Sequence, residues 1–235
     1  LINMKINQKI NVDIKGEGEP IIPHPHDDNW NGISLPWMAF GYGVMMTPLQ
    51  TLTFYNAVAN DGEMVKPSFI NSIGAFGEKP IYKIDREVIM TSICSEETLI
   101  SVQKMLENVV EKPWGTANNI YDENIRIAGK TGTTQNQSDG WFIGMVPNLV
   151  TGVWVGAEDR AIHFEDIAYG QGATMALPIW ANYMRNIYLD TTLMISQDSF
   201  EKPEILNIEL DCNQFVTDSI GSGKTTDQEI QDIDF

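Results

Sequence analysis

Apolar residues recur along this chain with two different periods, and the change between them falls near Ile125. Before it, the stretch "TPLQTLTFYNAVANDG" predicts a helix. Thr47 stands at the N-cap, Pro48 at the first helical position and Gln50 three residues past the cap, a capping box in which both orphan donors find side-chain acceptors. Asn60-Asp61-Gly62 should end it. A second helix is predicted from Ser95, with Glu96 and Glu97 placed against the dipole and Leu99, Val102, Leu106 and Val109 recurring at three- and four-residue spacing until Pro113 stops it. That stripe reads as core packing.

From Ile125 onward the period shortens. "IRIAGKTGTT", "GWFIGMVP" and "LVTGVWVGAE" read as three short strands rich in Val, Ile, Trp and Thr, and their brief connections predict antiparallel pairing. "GATMALPIWANYMRNIY" predicts a closing helix despite Pro178. From Ser196 to Phe235 the composition turns polar, with ten acidic residues against two lysines and a net charge of −8 over 40 residues, as expected of a solvated tail. The chain is therefore expected to divide into a folded portion, residues 1–190, and an acidic, flexible tail, residues 191–235. Its fold class is α+β, with helices packed on an antiparallel sheet.

Composition narrows the partners. At 235 residues with 43% hydrophobic content the chain can bury a globular core. Fifteen Lys and Arg against 32 Asp and Glu give a net charge of −17, which disfavours nucleic acid or an anionic membrane surface. Cys94 and Cys212 have no Cys or His neighbours at metal-ligand spacing and suggest neither a zinc site nor a disulfide framework. No run of 18 apolar residues occurs, and "LINMKINQKI" lacks the apolar stretch of a signal peptide, so any membrane anchor is expected outside this segment. A start at Leu1 suggests a piece of something longer. Metal and cofactor are both expected to be absent. "HPHDD" at His24–Asp28 reads as a solvated turn, and "GSGKTT" at Gly221–Thr226 lacks the first glycine and the strand and helix of a phosphate loop, which leaves a linker.

The densest chemistry lies in the row Lys130-Thr131-Gly132-Thr133. Strand alternation places Lys130 and Gly132 on one face and Thr131 and Thr133 on the other. Gly132 would let a ligand approach the backbone closely, while the ammonium and hydroxyls offer donors suited to a carboxylate. Spacing alone leaves this open against an ordinary exposed strand.

"GKTGTTQ" resembles the Lys-Thr-Gly signature of the penicillin-binding proteins and serine β-lactamases. The resemblance continues through "SDGWFIGMVPNLVTGVWVGAEDR" and "GQGATMALPIW", which are similar to the end of the transpeptidase domain in bifunctional, class A penicillin-binding proteins, especially those of Bacteroidetes. Before Gly129, "ISLPWMAFGYGVMMTPLQTLTFYNAVANDGEMVKPSFI" and "ICSEETLISVQKMLENVVEK" look more like the monofunctional, class B proteins of septal wall synthesis. Together the two cover residues 1–188. A divergent protein, a recombinant gene and two misjoined fragments all fit that mixture.

The resemblance implies the C-terminal part of a D,D-transpeptidase domain, an incomplete penicillin-binding-protein or serine β-lactamase-like fold, over residues 1–190. Lys130 would be catalytic, helping to bind the substrate carboxylate and maintaining the proton network. Thr131, Gly132 and Thr133 would bind substrate, the two hydroxyls holding the carboxylate and the Thr133 N–H supplying one oxyanion-hole donor. Implied partners are peptidoglycan stem peptides, β-lactam antibiotics as inhibitors, and other cell-wall synthesis proteins, at the periplasmic face of the inner membrane. The nucleophile is expected before Leu1. Ser101-Val102-Gln103-Lys104 matches S-x-x-K but falls within the second predicted helix, where a solvent-facing Ser and Lys explain it, and Ser138-Asp139-Gly140 follows the Lys-Thr-Gly strand instead of preceding it. Trp114, Trp141 and Trp154 read as packing residues, Trp141 bordering the cleft. Two alternatives to a transpeptidase remain: a non-catalytic module that binds or senses wall peptide or β-lactam, and a serine β-lactamase or carboxypeptidase, against which the "DGWFIGMVPNLVTGVWVG" run speaks because it is typical of synthases.

Overall fold

The computed structural model of the chain describes residues 1–79 and 81–200. In chain order these form α1 (Ser34–Ala39), α2 (Pro48–Ala59), β1 (Met64–Val65), β2 (Ser72–Ile73), β3 (Tyr82–Lys83), β4 (Val88–Met90), α3 (Glu96–Glu111), β5 (Ala128–Thr133), β6 (Asp139–Val146), β7 (Leu149–Gly156), α4 (Ile167–Gly170), α5 (Gly172–Met175) and α6 (Leu177–Leu189). Short 3₁₀ turns are interspersed. The result is mixed α+β, and among the described residues every sheet is antiparallel.

Both long early helices start where their caps predict. Thr47 Oγ1 accepts from the Gln50 N–H at 3.2 Å and Gln50 Oε1 from the Thr47 N–H at 2.8 Å, closing the capping box on α2. Ser95 Oγ accepts from the Thr98 N–H at 3.3 Å and caps α3. The two helices are joined by Gln103, whose Nε2 donates to the Val58 carbonyl at 2.7 Å, a buried contact that satisfies one of the orphan acceptors near the end of α2.

The central feature is the three-stranded meander β5-β6-β7. It runs without a register shift, Lys130 opposite Ile143 and Thr133 opposite Gly140 on one side of β6, Trp141 opposite Trp154 on the other. Alternation divides its side chains between two cores. Ala128 and Met145 join Val58, Met64, Leu99 and Leu106 beneath α2 and α3. Phe142 and Val146 join Val110, Leu177, Trp180 and Met184 beneath α6, and the Phe142 and Trp180 rings meet edge to face at 5.1 Å.

The closing helix is present in two pieces that meet at Ala176. Pro178 has no N–H to give the Thr174 carbonyl and its ring crowds that turn, so the ladder is interrupted there and resumes with the Trp180 N–H on the Ala176 carbonyl at 3.1 Å. Beyond α6, Asn148 at the β6–β7 turn holds the following segment with both ends of its amide. Its Nδ2 donates to the Met194 carbonyl at 3.0 Å and its Oδ1 accepts from the Ser196 N–H at 2.8 Å. Tyr188 OH donates to the Ser196 carbonyl at 3.0 Å, and Phe200 is 8% exposed within the first core. Residues 191–200, the start of the expected tail, are thus held on the fold. The remainder, with Cys212 and the Gly221–Thr226 stretch, lies outside the described residues.

Candidate active site

The Lys-Thr-Gly row occupies β5, which among the described residues pairs on one side only, with β6. Just past the strand the Thr134 N–H donates to the Asp139 carbonyl at 3.0 Å, in register with the ladder. Antiparallel pairs alternate, so the even residues of β5 face β6 with their backbone groups and the odd ones face the free edge. The N–H groups of Thr131 and Thr133 therefore point outward along that edge. Lys130 reaches the same edge by a different route, folding back so that Nζ donates to the Thr131 carbonyl at 2.8 Å. The residue is exposed as a whole, yet desolvation of its ammonium holds its pKa below the ordinary lysine value. A lysine in this state gives up its proton more readily, and its nearest polar neighbours are strand backbone.

Side chains follow the alternation. Thr131 and Thr133 project to the face covered by α5 and α6, and Lys130 and Gly132 to the other, so the row converges on the free edge and not on one face. Thr131 Oγ1 lies 2.9 Å from Thr116 Oγ1 in the loop after α3. Thr133 Oγ1 accepts from the Gly172 N–H at 3.0 Å, at the start of α5. A Cβ at position 172 would sit 2.3 Å from the Gly132 carbonyl oxygen, so only glycine lets α5 come this close to the row. The sequence pattern points to neither Thr116 nor Gly172, although "GQGAT" lies in a stretch that carries the family resemblance. Their partners are 15 and 39 residues away in sequence, beyond the reach of local periodicity.

The turn that leaves β5 is locked. Asn136 and Gln137 both take the left-handed conformation, at φ 59° and 53°, which is unfavourable for a glutamine. A knot around Asp139 holds it: Oδ1 accepts from Trp154 Nε1 at 3.0 Å, and Oδ2 accepts from Thr134 Oγ1 at 2.9 Å and from Arg160 Nη1 at 3.1 Å. Beside the turn, Gln135 contributes to an open cleft of about 510 Å³ that Trp30, Trp37 and Tyr42 also line.

Three expectations need correction. Ser101 does not face solvent: it is 8% exposed, and Lys104 is turned to Glu107 and Glu111 at 2.6 and 3.2 Å. Two residues past Leu99, Ser101 lies about 200° round the helix from it, so it is covered from a different side than the Leu99–Leu106 stripe, which removes it further from a role as nucleophile. Trp114 is not packed; it is 65% exposed, with Lys112 Nζ 5.9 Å from its ring centroid. Trp154 is also exposed, its ring tilted against Trp141 at 6.3 Å while its Nε1 serves the Asp139 knot. Ser138 lies in the turn, buried and bonded to Thr134 Oγ1 at 3.1 Å. His24 and His26 sit in a turn with ring centroids 4.9 Å apart, and among the described residues no group of His, Cys, Asp and Glu is arranged to hold a metal ion.

Comparison with known proteins gives consistent matches. The family model for the penicillin binding protein transpeptidase domain matches residues 3–178. Penicillin-binding protein 1A of Aquifex aeolicus (strain VF5) is 35% identical over 176 residues, covering 72% of this chain and 22% of that protein. Stage V sporulation protein D of Bacillus subtilis (strain 168) is 30% identical over 208 residues, covering 83% of this chain and 30% of that protein. The chain thus spans less than a third of the length of either curated relative. Among solved structures, penicillin-binding protein 2B of Streptococcus pneumoniae aligns with a TM-score of 0.62 at 18% identity, over 80% of this chain and 30% of that one, a likeness of fold.

Proposed function

The chain belongs to the penicillin-binding protein transpeptidase family, and from that premise we propose that it forms the Lys-Thr-Gly wall of a peptidoglycan D,D-transpeptidase whose serine nucleophile lies upstream of Leu1. The observation that carries this reading is the free edge of β5, where the Lys130 ammonium and the outward N–H groups of Thr131 and Thr133 stand along one line. Neither Ser101 nor Ser138 is presented to that edge.

In this reaction the serine oxygen attacks the penultimate D-Ala carbonyl of a stem peptide, the peptide bond to the terminal D-Ala breaks, and D-Ala leaves as the amine. A neighbouring peptide's amine then takes the acyl group and frees the serine. The Thr133 N–H donates to the oxyanion that develops in both steps, and the nucleophile's own N–H completes the hole. Lys130 attracts the terminal carboxylate and passes protons, a role suited to an ammonium whose pKa is depressed by desolvation. A β-lactam mimics the dipeptide and acylates the same serine. The working site is the periplasmic face of the inner membrane, with other cell-wall synthesis proteins as partners and an anchor carried elsewhere in the polypeptide.

A fluorescent penicillin tests the assignment. It should label the complete parent protein covalently and leave the isolated 235-residue chain unlabelled. Label mapped to Ser101 would overturn the placement of the nucleophile. Reversible β-lactam binding by the complete protein without acylation would replace a transpeptidase by a sensing module.

A further inference from the structure

Resting on that reading, we infer that Thr116 is a positioning residue, which fixes the direction in which the Thr131 hydroxyl donates its proton to a substrate carboxylate. The loop that carries Thr116 is fastened on both sides to the end of α3. The Gly115 N–H donates to the Lys112 carbonyl at 2.8 Å, the Ala117 N–H to the Val109 carbonyl at 3.1 Å, and Asn118 Nδ2 to the Val110 carbonyl at 2.9 Å. A Cβ at position 115 would lie 2.2 Å from the Val109 carbonyl oxygen, so the backbone passes as close to the helix as glycine allows. Thr116 is therefore offered to Thr131 from a rigid frame, at 2.9 Å.

The hydrogen count gives the pair its function. Two hydroxyls hold two protons, one of which spans the gap, and neither oxygen has another partner among the described residues. The second proton is available to a ligand. With a carboxylate at Thr131, Thr116 donates to Thr131 and Thr131 donates onward, each bond polarising the next. Thr133 carries the same arrangement with a fixed sign: the Gly172 N–H occupies one of its lone pairs, leaving its proton free to donate. Both threonines of the row are thus held as donors, one by a backbone amide that cannot reverse and one by a hydroxyl that can.

The test uses the complete parent protein, with Thr116→Val to remove the hydroxyl at nearly constant shape and Thr116→Ser to restore it. Second-order acylation by a penicillin with a free carboxylate should fall about tenfold in Thr116→Val, the scale of one charge-assisted hydrogen bond, and return in Thr116→Ser. With the methyl ester of the same penicillin, Thr116→Val and the unsubstituted protein should react alike. Melting temperatures accompany each rate, and Thr116→Ala replaces the valine variant if that one melts lower. An unchanged rate with the free acid overturns the inference, as does an equal loss for acid and ester, or a folded serine variant that restores nothing. Failure of the unsubstituted parent to acylate at all overturns the transpeptidase reading and takes this inference with it.

Discussion

Lys130 sits in an environment unlike that of an ordinary surface strand. Desolvation lowers its pKa in the fold, so the charged form is the disfavoured one. Below its folded-state pKa the partly desolvated charge costs stability, and that cost is relieved as pH rises through the folded value toward the unfolded one. Removing the ammonium at neutral pH should therefore not lower the melting temperature. Its loss should be felt in chemistry: in the complete protein, Lys130→Ala is expected to slow acylation by penicillin by about 30- to 1000-fold, roughly 2 to 4 kcal/mol of barrier, on the scale of losing a preorganised electrostatic group. Thr131→Val should be milder, since Thr133 and the edge amides remain. Equal acylation rates for Lys130→Ala and the unsubstituted protein, with equal melting, would remove Lys130 from the site. The identity of this row was legible from four letters and their neighbours. What those letters could not convey was the curl of Lys130 onto its own strand or the two hydroxyl partners, because both depend on which residues the fold brings to the edge.

Among elements, the helix caps and the strand order were readable because each rests on contacts within a few residues. Thr47 with Gln50, and Val146 opposite Leu149 across a short turn, are local events. The inward turn of Ser101 and the exposure of Trp114 were not, since they depend on what packs against α3 from a distance. The same helix is joined to the start of β5 by an ionic chain: Lys104 pairs with Glu107 and Glu111, and Glu111 in turn with Arg126 at 2.7 Å. Desolvation alone would lower the pKa of Lys104, but the hydrogen bonds and charges of the two glutamates outweigh it and hold the value above normal. A raised lysine contributes stability that is complete below the unfolded value of 10.5 and is lost as pH rises through the folded value. Lys104→Met should therefore melt lower than the unsubstituted chain at neutral pH, and the gap should close in alkali beyond 10.5. A gap that persists undiminished there would exclude the ion pairs as its source. The Asn148 clasp gives a second test. Asn148→Ala removes two exposed hydrogen bonds, so the Ser196 amide should exchange faster with only about 1 kcal/mol lost from global stability. Unaltered exchange at Ser196 would mean that Tyr188 alone holds the segment.

At the scale of the whole molecule, the described surface retains a good deal of apolar area. Phe40 is 83% exposed, Leu35, Ile33 and Trp37 lie exposed near it, and β5 and β7 are the outer strands of the meander. Unpaired strand edges beside apolar side chains favour association between chains. The net charge of −17 opposes it at neutral pH. The isolated chain should therefore self-associate in a concentration-dependent way, most strongly as the pH approaches the isoelectric point near 4.4, where the repulsion vanishes. Sedimentation velocity across that range tests this, and a monomer at every pH and concentration would contradict it. Composition and pattern gave the class of fold and the sign of the charge. They could not show which apolar residues remain uncovered, because an apolar side chain reads the same in the sequence until its neighbours are placed.

The β6–β7 turn also orders events in time. Its strands close over only Pro147 and Asn148, whereas the packing of α2 on β7 joins segments separated by about half of the described chain. Closing a short loop forfeits far less chain entropy than closing a long one, so the hairpin should assemble on its own scale of about 1 to 10 μs, ahead of the helix that covers it. Pulse-labelled refolding would then find the β6 amides protected before those of α2. The edge that carries Lys130 would be laid down by its neighbour strand, early in folding and before either helical cover arrives.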